Sequence, residues 1–459
     1  MPIEKEQFLT QFTKQALDKQ VSLFLGAGSS RDVGYPNWSD LFAPLAKELG
    51  IPINSVTDYY RLAQYYSNQC GEGELRKNIN ECINRNNSES LLLTELIKVG
   101  FTNIWTTNFD NALEFNYRKQ GILINKIFRD FDFSNVELNK RINIFKMNGD
   151  IENLEAIVAT QNDYEKYLDN HRVMLMFFKR ELISSTFLFI GYSFTDHLVL
   201  DCLSEMNRYL GDSINYHYTI MKNETENPYF KYFVDDLEKR YKIRVLLVDG
   251  YEDIPNVLTE LNARIRSQKV FISGAFSSHE PKIEEYSHEL SYELTKSFYE
   301  PKEKYRIING IGARFGTHLI GYANEHLAKQ GVKDIEKYLI IRPFVGNDEN
   351  APIKKKQLRE KVIEQCGAAI FVFGEEDCNA VDKKSGVLEE FDIACQQHKT
   401  IIPIAYPGKI SELIWKQVKS NITQYPYLEK EIDSLTSVED TKKLSKTIVH
   451  ILDSVREAK

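Results

Sequence analysis

The sequence contains no pair of cysteines in C-x-x-C spacing. Its six thiols, Cys70, Cys82, Cys202, Cys366, Cys378 and Cys395, are scattered through 459 residues. That excludes a zinc ribbon and a thioredoxin-like redox centre, and sparse thiols in a long chain fit a reducing compartment. No apolar run approaches the roughly 18 residues needed to cross a bilayer. The N-terminal stretch MPIEKEQFLTQFTKQALDKQ is amphipathic and lacks the apolar centre of a secretory signal. A soluble cytoplasmic protein, without membrane attachment, is expected. An excess of basic residues is also missing: 58 Lys and Arg stand against 66 Asp and Glu, for a net charge of −8. A surface that works by neutralising phosphates has the opposite balance, so no nucleic-acid partner is expected. Thirteen prolines and 23 glycines are too few for a collagen-like or linker-dominated chain. There is no Gly/Ser- or Pro-rich linker, internal repeat or low-complexity tract.

What is present is enough apolar material for packed cores, 42% hydrophobic with 12% aromatic. At roughly 100–200 residues per domain, the length calls for two to four domains. Short apolar runs alternate with helical patterns, the signature of α/β layers with parallel sheets. Strands are expected at Val21–Leu25, Ile104–Thr106, Ile142–Met147, Thr186–Ile190, Tyr216–Met221 and Val245–Val248. Helices are expected over about 4–19, 37–49 and 88–98. A polar helix over 258–268 leads into a second strand series: Lys269–Ser273, Arg306–Asn309, Tyr338–Ile341, Ala368–Phe373 and Thr400–Ile404. The fold class is therefore α/β, with two domains, 1–267 and 268–459, each a mainly parallel sheet flanked by helices.

In the first half, four polar turns follow strands: Gly26-Ala27-Gly28-Ser29-Ser30, Thr106-Thr107-Asn108-Phe109-Asp110, Asn148-Gly149-Asp150 and Gly191-Tyr192-Ser193-Phe194-Thr195-Asp196. Ligands of open parallel sheets bind outside the carboxyl ends of the strands. Glycines at a strand-to-helix turn let amides approach a phosphate. The bare G-x-G is weak alone, because Arg31 stands where the dinucleotide fingerprint has its third glycine. Four such turns on one sheet edge converge on a single cleft.

The order G-A-G-x-S, T-x-N-x-D, N-G-D and G-x-S over about residues 10–250 resembles the sirtuin family, which implies NAD binding. On that resemblance Gly26, Ala27, Gly28 and Ser29 line the NAD site, with Asn108 and Asp110, then Gly191, Ser193 and Asp196. The zinc module of sirtuin deacylases is missing, so no metal and no deacylation are expected. In sirtuin-like domains the strand before the G-D pair ends in the catalytic histidine, and here that position is Asn148. A carboxamide cannot accept a proton near neutral pH as imidazole does. Asn108 and Asn148 are the catalytic candidates, Asn108 to orient ribose or water. Asp110 reads equally as a turn or cap residue. His171, His197 and His217 lack a strand-end context and read as packing or surface residues.

In the second half, Ser273-Gly274-Ala275 ends a strand and Asn309-Gly310-Ile311-Gly312-Ala313-Arg314-Phe315-Gly316 opens a helix. Arg342-Pro343-Phe344 follows the next strand, and Gly386 to Glu390 begin a later helix. The series looks like the SLOG family over about 268–455, which implies a nucleotide-signal pocket at Ser273, Gly274, Ala275, Gly310, Gly312, Arg342, Phe344, Arg359, Gly386 and Glu390. Arg359 can clamp a phosphate through two nitrogens or lie on a solvated helix face, and Glu390 can accept ribose hydroxyls or serve as a first-turn acid. A sirtuin-like half fused to a SLOG half resembles the NAD-hydrolysing effectors of the Thoeris antiphage systems. That resemblance implies a cytoplasmic NAD glycohydrolase activated by a cyclic ADP-ribose isomer, which a TIR-domain partner makes. It also implies a homotetramer that can extend into filaments. A NAD- or cyclic-nucleotide-binding sensor without hydrolase activity is the alternative, and Asn148 favours it.

Overall fold

The computed structural model describes residues 2–457 except 86, 135–140, 214, 278–279, 302–303, 345–350, 376–384 and 437–438, and except the side chains of 212, 351 and 352. Cys378 lies outside the described residues; the other five cysteines are free thiols. Internal contacts divide the chain into two units, Met1–Asn262 and Ala263–Lys459. No helix among the described residues is long and apolar enough to cross a membrane.

The first unit holds seven strands: β1 (Val21–Leu25), β2 (Asn103–Thr106), β3 (Ile124–Ile127), β4 (Ile142–Lys146), β5 (Thr186–Ile190), β6 (His217–Lys222) and β7 (Ile243–Val248). All pair in parallel, in the order β3-β4-β2-β1-β5-β6-β7. Helices on both faces bury β1 and β5 at every position, which is why V-S-L-F-L and T-F-L-F-I read as continuous apolar runs. Aromatic rings fill much of the interior; Trp105 stacks on Phe145 with centroids 4.1 Å apart. The expected β1 and β5 have the observed bounds, and the other expected strands shift by a residue or two at their ends. The exception is β3, which the sequence reading did not include.

The register fixes the site. Leu25 lies beside both Thr106 and Ile190, and Thr106 beside Lys146. The residues that follow, Gly26, Thr107, Gly191 and Met147, therefore leave the sheet at one level. Strand order reverses between β1 and β5, so the Gly26 and Gly191 turns flank the switch point where such sheets bind ligands.

The second unit holds β8 (Lys269–Ala275), β9 (Arg306–Asn309), β10 (Leu339–Ile341), β11 (Ala368–Phe373) and β12 (Thr400–Pro403), all parallel, in the order β10-β9-β8-β11-β12. Its core packs Phe271, Ile307, Ile370, Phe373 and Ile402 against surrounding helices. Here the order reverses between β8 and β11, with Ala275 beside Phe373 at their carboxyl ends.

Candidate functional site

The Gly26 and Gly191 turns are in backbone contact. Gly26 donates its N–H to the carbonyl of Ile190 (3.0 Å), and Gly28 to that of Gly191 (2.9 Å). A Cβ on Gly26 would come within 2.4 Å of the Gly191 oxygen. One on Gly191, which has φ of +65°, would come within 2.3 Å of the Ser29 nitrogen. Only glycine allows that approach and that left-handed backbone. The N–H of Ser29 bonds the carbonyl of Gly26 (3.0 Å), as does its hydroxyl (2.8 Å). The amides of Gly26, Gly28 and Ser29 are therefore used inside the fold, whereas Ala27 lines an adjoining cavity. Ser193 is exposed and bonds Thr195 (2.8 Å). Asp196 caps the helix His197–Leu210, accepting the N–H of Leu198 at 2.9 Å.

The loop after β2 is tied to the same turn. The hydroxyl of Thr106 donates to the Leu25 carbonyl (2.9 Å) and accepts the N–H of Asn108 (3.0 Å). The side chain of Asn108 donates through Nδ2 to the Gly26 carbonyl at 3.1 Å. Its Oδ1 is buried and has no hydrogen-bond partner. Asp110 accepts the N–H of Ala112 (3.0 Å) and the hydroxyl of Ser30 (3.3 Å), and burial raises its carboxyl above the ordinary aspartate range. Ala27, Tyr35, Trp38, Thr107, Asn108 and Asp110 line one cavity at this strand edge.

A buried lysine underpins that loop. Lys146, the last residue of β4, is 1% exposed; it donates to the carbonyls of Phe109 (3.1 Å) and Asp110 and pairs with Glu114 (3.0 Å) and Asp150 (2.7 Å). Burial opposes its charge, but Glu114, Asp150 and Asp110 together raise its pKa. Burial raises the carboxyl of Glu114, whereas Asp150, also bound by Lys126 at 3.1 Å, is held low by the two lysines despite its burial.

Asn148, 1% exposed, donates through Nδ2 to the hydroxyl of Tyr60 (3.2 Å), which in turn donates to Asp196 (3.5 Å). This chain joins the turn after β4, the helix Tyr59–Cys70 and the turn after β5. Tyr60 was not among the sequence candidates; the available signal was an aromatic pair, Tyr59-Tyr60, in the first turn of a helix capped by Asp58. Its ring meets Trp38 edge-on at 5.4 Å. Burial raises the pKa of the Tyr60 hydroxyl well above its ordinary value, and it raises that of Asp196 too. Of the histidines, His171 stacks on Tyr167, His197 is exposed, and His217 is fully buried in β6, accepting the N–H of Phe187 at 3.1 Å.

The second unit brings several of its candidates together at the β8–β11 edge. Ser273 donates to Glu390, and Arg359 donates through Nε to the same carboxylate at 3.1 Å while also pairing with Glu389. The guanidinium lies 5.2 Å from the Phe344 ring centroid. Its side chain is 14% exposed, so it does not belong to a solvated helix face. Gly386 opens the next helix and leaves room for Arg359, since a Cβ there would come within 2.8 Å of Nη2. Gly310 lies against Phe344, and Gly312 against the carbonyl of Gly274. Burial raises the carboxyl of Glu390, against the pull of Ser273 and Arg359. Ala275 is half-buried; Arg342 is exposed and turns Nη1 to the carbonyl of Ile341 (2.9 Å), apart from the Arg359 group.

Residues 102–246 match the SIR2-like domain family, and residues 253–455 match the Sir2- and TIR-associating SLOG family. A Cytobacillus dafuensis protein named NAD(+) hydrolase ThsA is 30% identical over 451 residues, 93% of this chain and 90% of that one. This chain belongs to the ThsA family. A ThsA protein of the same name from Bacillus cereus strain MSX-D12 is 29% identical over 449 residues, covering 94% of this chain and 93% of its own. A third, from Enterococcus faecium, is 26% identical and aligned along 99% of this chain and 100% of its own. ThsA relatives thus share both halves, as the resemblance to Thoeris effectors implied.

Proposed function

We propose that this chain is a NAD glycohydrolase of antiphage defence, cleaving NAD to nicotinamide and ADP-ribose in the first-unit cleft when a cyclic ADP-ribose isomer occupies the Arg359 site. Asn108 carries the reading. Its nitrogen is committed to the Gly26 carbonyl, while its buried Oδ1 lacks a donor and belongs to a residue on the cavity wall. A ribose hydroxyl or the attacking water supplies that donor. Breaking the nicotinamide–ribose bond leaves its electron pair on nicotinamide and an oxocarbenium-like ribose, to which water adds with loss of a proton. Such a reaction draws on positioned acceptors and excluded water, and a base that takes the proton from water adds to its rate. Asn148 then acts by holding Tyr60 and, through it, Asp196. The names of the ThsA relatives, NAD(+) hydrolase, support the substrate.

The same proposal makes the protein a cytoplasmic homotetramer, able to extend into filaments. It takes its signal from a TIR-domain partner and binds neither nucleic acid nor membrane. Asn148 favours a second reading, a sensor that binds NAD or a cyclic nucleotide without cleaving it. The two separate on nicotinamide release from NAD, with and without cyclic ADP-ribose isomers, by this chain and by Asn108→Ala.

A further inference from the structure

Beside the turn after β9, two helices of the second unit bring three metal-ligating side chains together. Glu284 and His288 are one turn apart on the helix Pro281–Tyr299, and His318 faces them from the helix Phe315–Lys329. One ligand atom from each lies within 4.8 Å of the others. The Glu284 carboxylate is 3.7 Å from Nε2 of His318, and the two imidazoles stack with centroids 3.8 Å apart. With bonds of about 2.0–2.1 Å, the ligand atoms of a tetrahedral zinc ion stand roughly 3.3 Å apart. Closing the cluster on an ion therefore takes about 1.5 Å of movement at the ligand atoms and a rotation of the exposed His288 ring out of its stack on His318, so that both in-plane lone pairs converge.

The atoms that would not bind metal already have partners. Nδ1 of His318 meets the hydroxyl of Ser287, itself fully buried, at 2.8 Å. Nδ1 of His288 meets the hydroxyl of Tyr322 at 3.2 Å. The second Glu284 oxygen accepts from Arg314 at 3.0 Å. Each side chain is thus oriented by a neighbour at one polar atom with the other left over, the arrangement found around metal-ligating histidines and carboxylates.

We infer that Glu284, His288 and His318 form a binding site for a first-row divalent metal of the zinc class, with water completing the coordination. Two imidazoles with one carboxylate suit zinc, cobalt, nickel or copper. Magnesium and calcium, which take oxygen ligands, are disfavoured. The sequence offered no motif for it, because His318 lies a whole strand and turn beyond His288.

The test is zinc binding by the full-length protein, stripped with a chelator and titrated against a chromophoric competitor. Cobalt spectra serve as the second readout. One zinc equivalent is expected, weakened at least about tenfold by His288→Ala and by His318→Ala, and about 10–100-fold by Ser287→Ala. Cobalt is expected to give visible bands of a tetrahedral nitrogen–oxygen site without the thiolate charge-transfer band of cysteine binding. If His318→Ala does not fold, the exposed His288→Ala carries the comparison. Zinc affinity unchanged in His288→Ala, or a cobalt spectrum with the thiolate band alone, overturns the assignment.

Discussion

Replacing Lys146 with Met tests whether a buried charge holds the Asn108 loop in place. The substitution keeps most of the side-chain volume and removes the donor to the Phe109 and Asp110 carbonyls. It also leaves Glu114 without its lysine and Asp150 with Lys126 alone. Breaking a buried pair from one side costs about 3–5 kcal/mol. At about 2–4 °C per kcal/mol for a unit of this size, the first-unit melting transition falls on the order of 10 °C. The loss depends on pH with a defined sign. Burial has raised the folded-state pKa of Glu114, so its contribution is complete below its unfolded pKa and declines as pH rises through the folded value. Lys146 opposes that rise, so removing it lifts the Glu114 carboxyl further; the Lys146→Met deficit is larger at pH 8 than at pH 5, and adding Glu114→Gln recovers part of it. Calorimetry at both pH values reads this directly. A melting point within about 2 °C of the parent, or equal deficits at the two pH values, refutes the role given to Lys146.

Three further outcomes follow from the same geometry. Asn148→His places a group able to accept a proton beside Tyr60, and turnover of NAD with signal present rises by roughly 10²–10⁴-fold while NAD affinity changes little; a nicotinamide-release assay with calorimetric binding checks both. His217 is buried and its pKa is pushed down to about 3, so its contribution is present above the unfolded value near 6.5 and is lost as pH falls. The first unit then loses about 1.4 kcal/mol per pH unit below about 6, and His217→Asn flattens that slope in acid denaturation; an unchanged slope rules His217 out as the cause. Arg359→Ala abolishes binding of the cyclic ADP-ribose isomer and leaves NAD binding in the first unit intact; retained signal binding removes Arg359 from the pocket.

The strand-edge site was legible because two signals are local. β1 and β5 are predominantly apolar runs, broken only by Ser22 and Thr186, and each ends in a glycine turn. Parallel topology then places those turns on one edge whatever the helices do. β3 was not legible: I-N-K-I is a four-residue edge strand with two adjacent polar residues at its centre, so it shows neither an apolar run nor strict alternation. Tyr60 and Glu114 come from helices whose contacts with Asn148 and Lys146 exist only after folding. Arg359 sits in a charged stretch, LREKVIE, where local pattern leaves a solvated face and a buried clamp equally open. The packing of the helix Gly386–Gln396 decides between them by placing Glu389 and Glu390 against it. The Gly26 and Gly28 amides show the opposite limit. A motif marks the turn but does not say whether its N–H groups face a ligand or, as here, the neighbouring turn.

The most direct measurement is nicotinamide release from NAD by the full chain, with cyclic ADP-ribose isomers present and absent, beside the Asn108→Ala variant. Release that depends on an isomer and disappears in Asn108→Ala, with the variant still folded, is the predicted result. NAD binding without release under every isomer, or release that survives Asn108→Ala, contradicts the account.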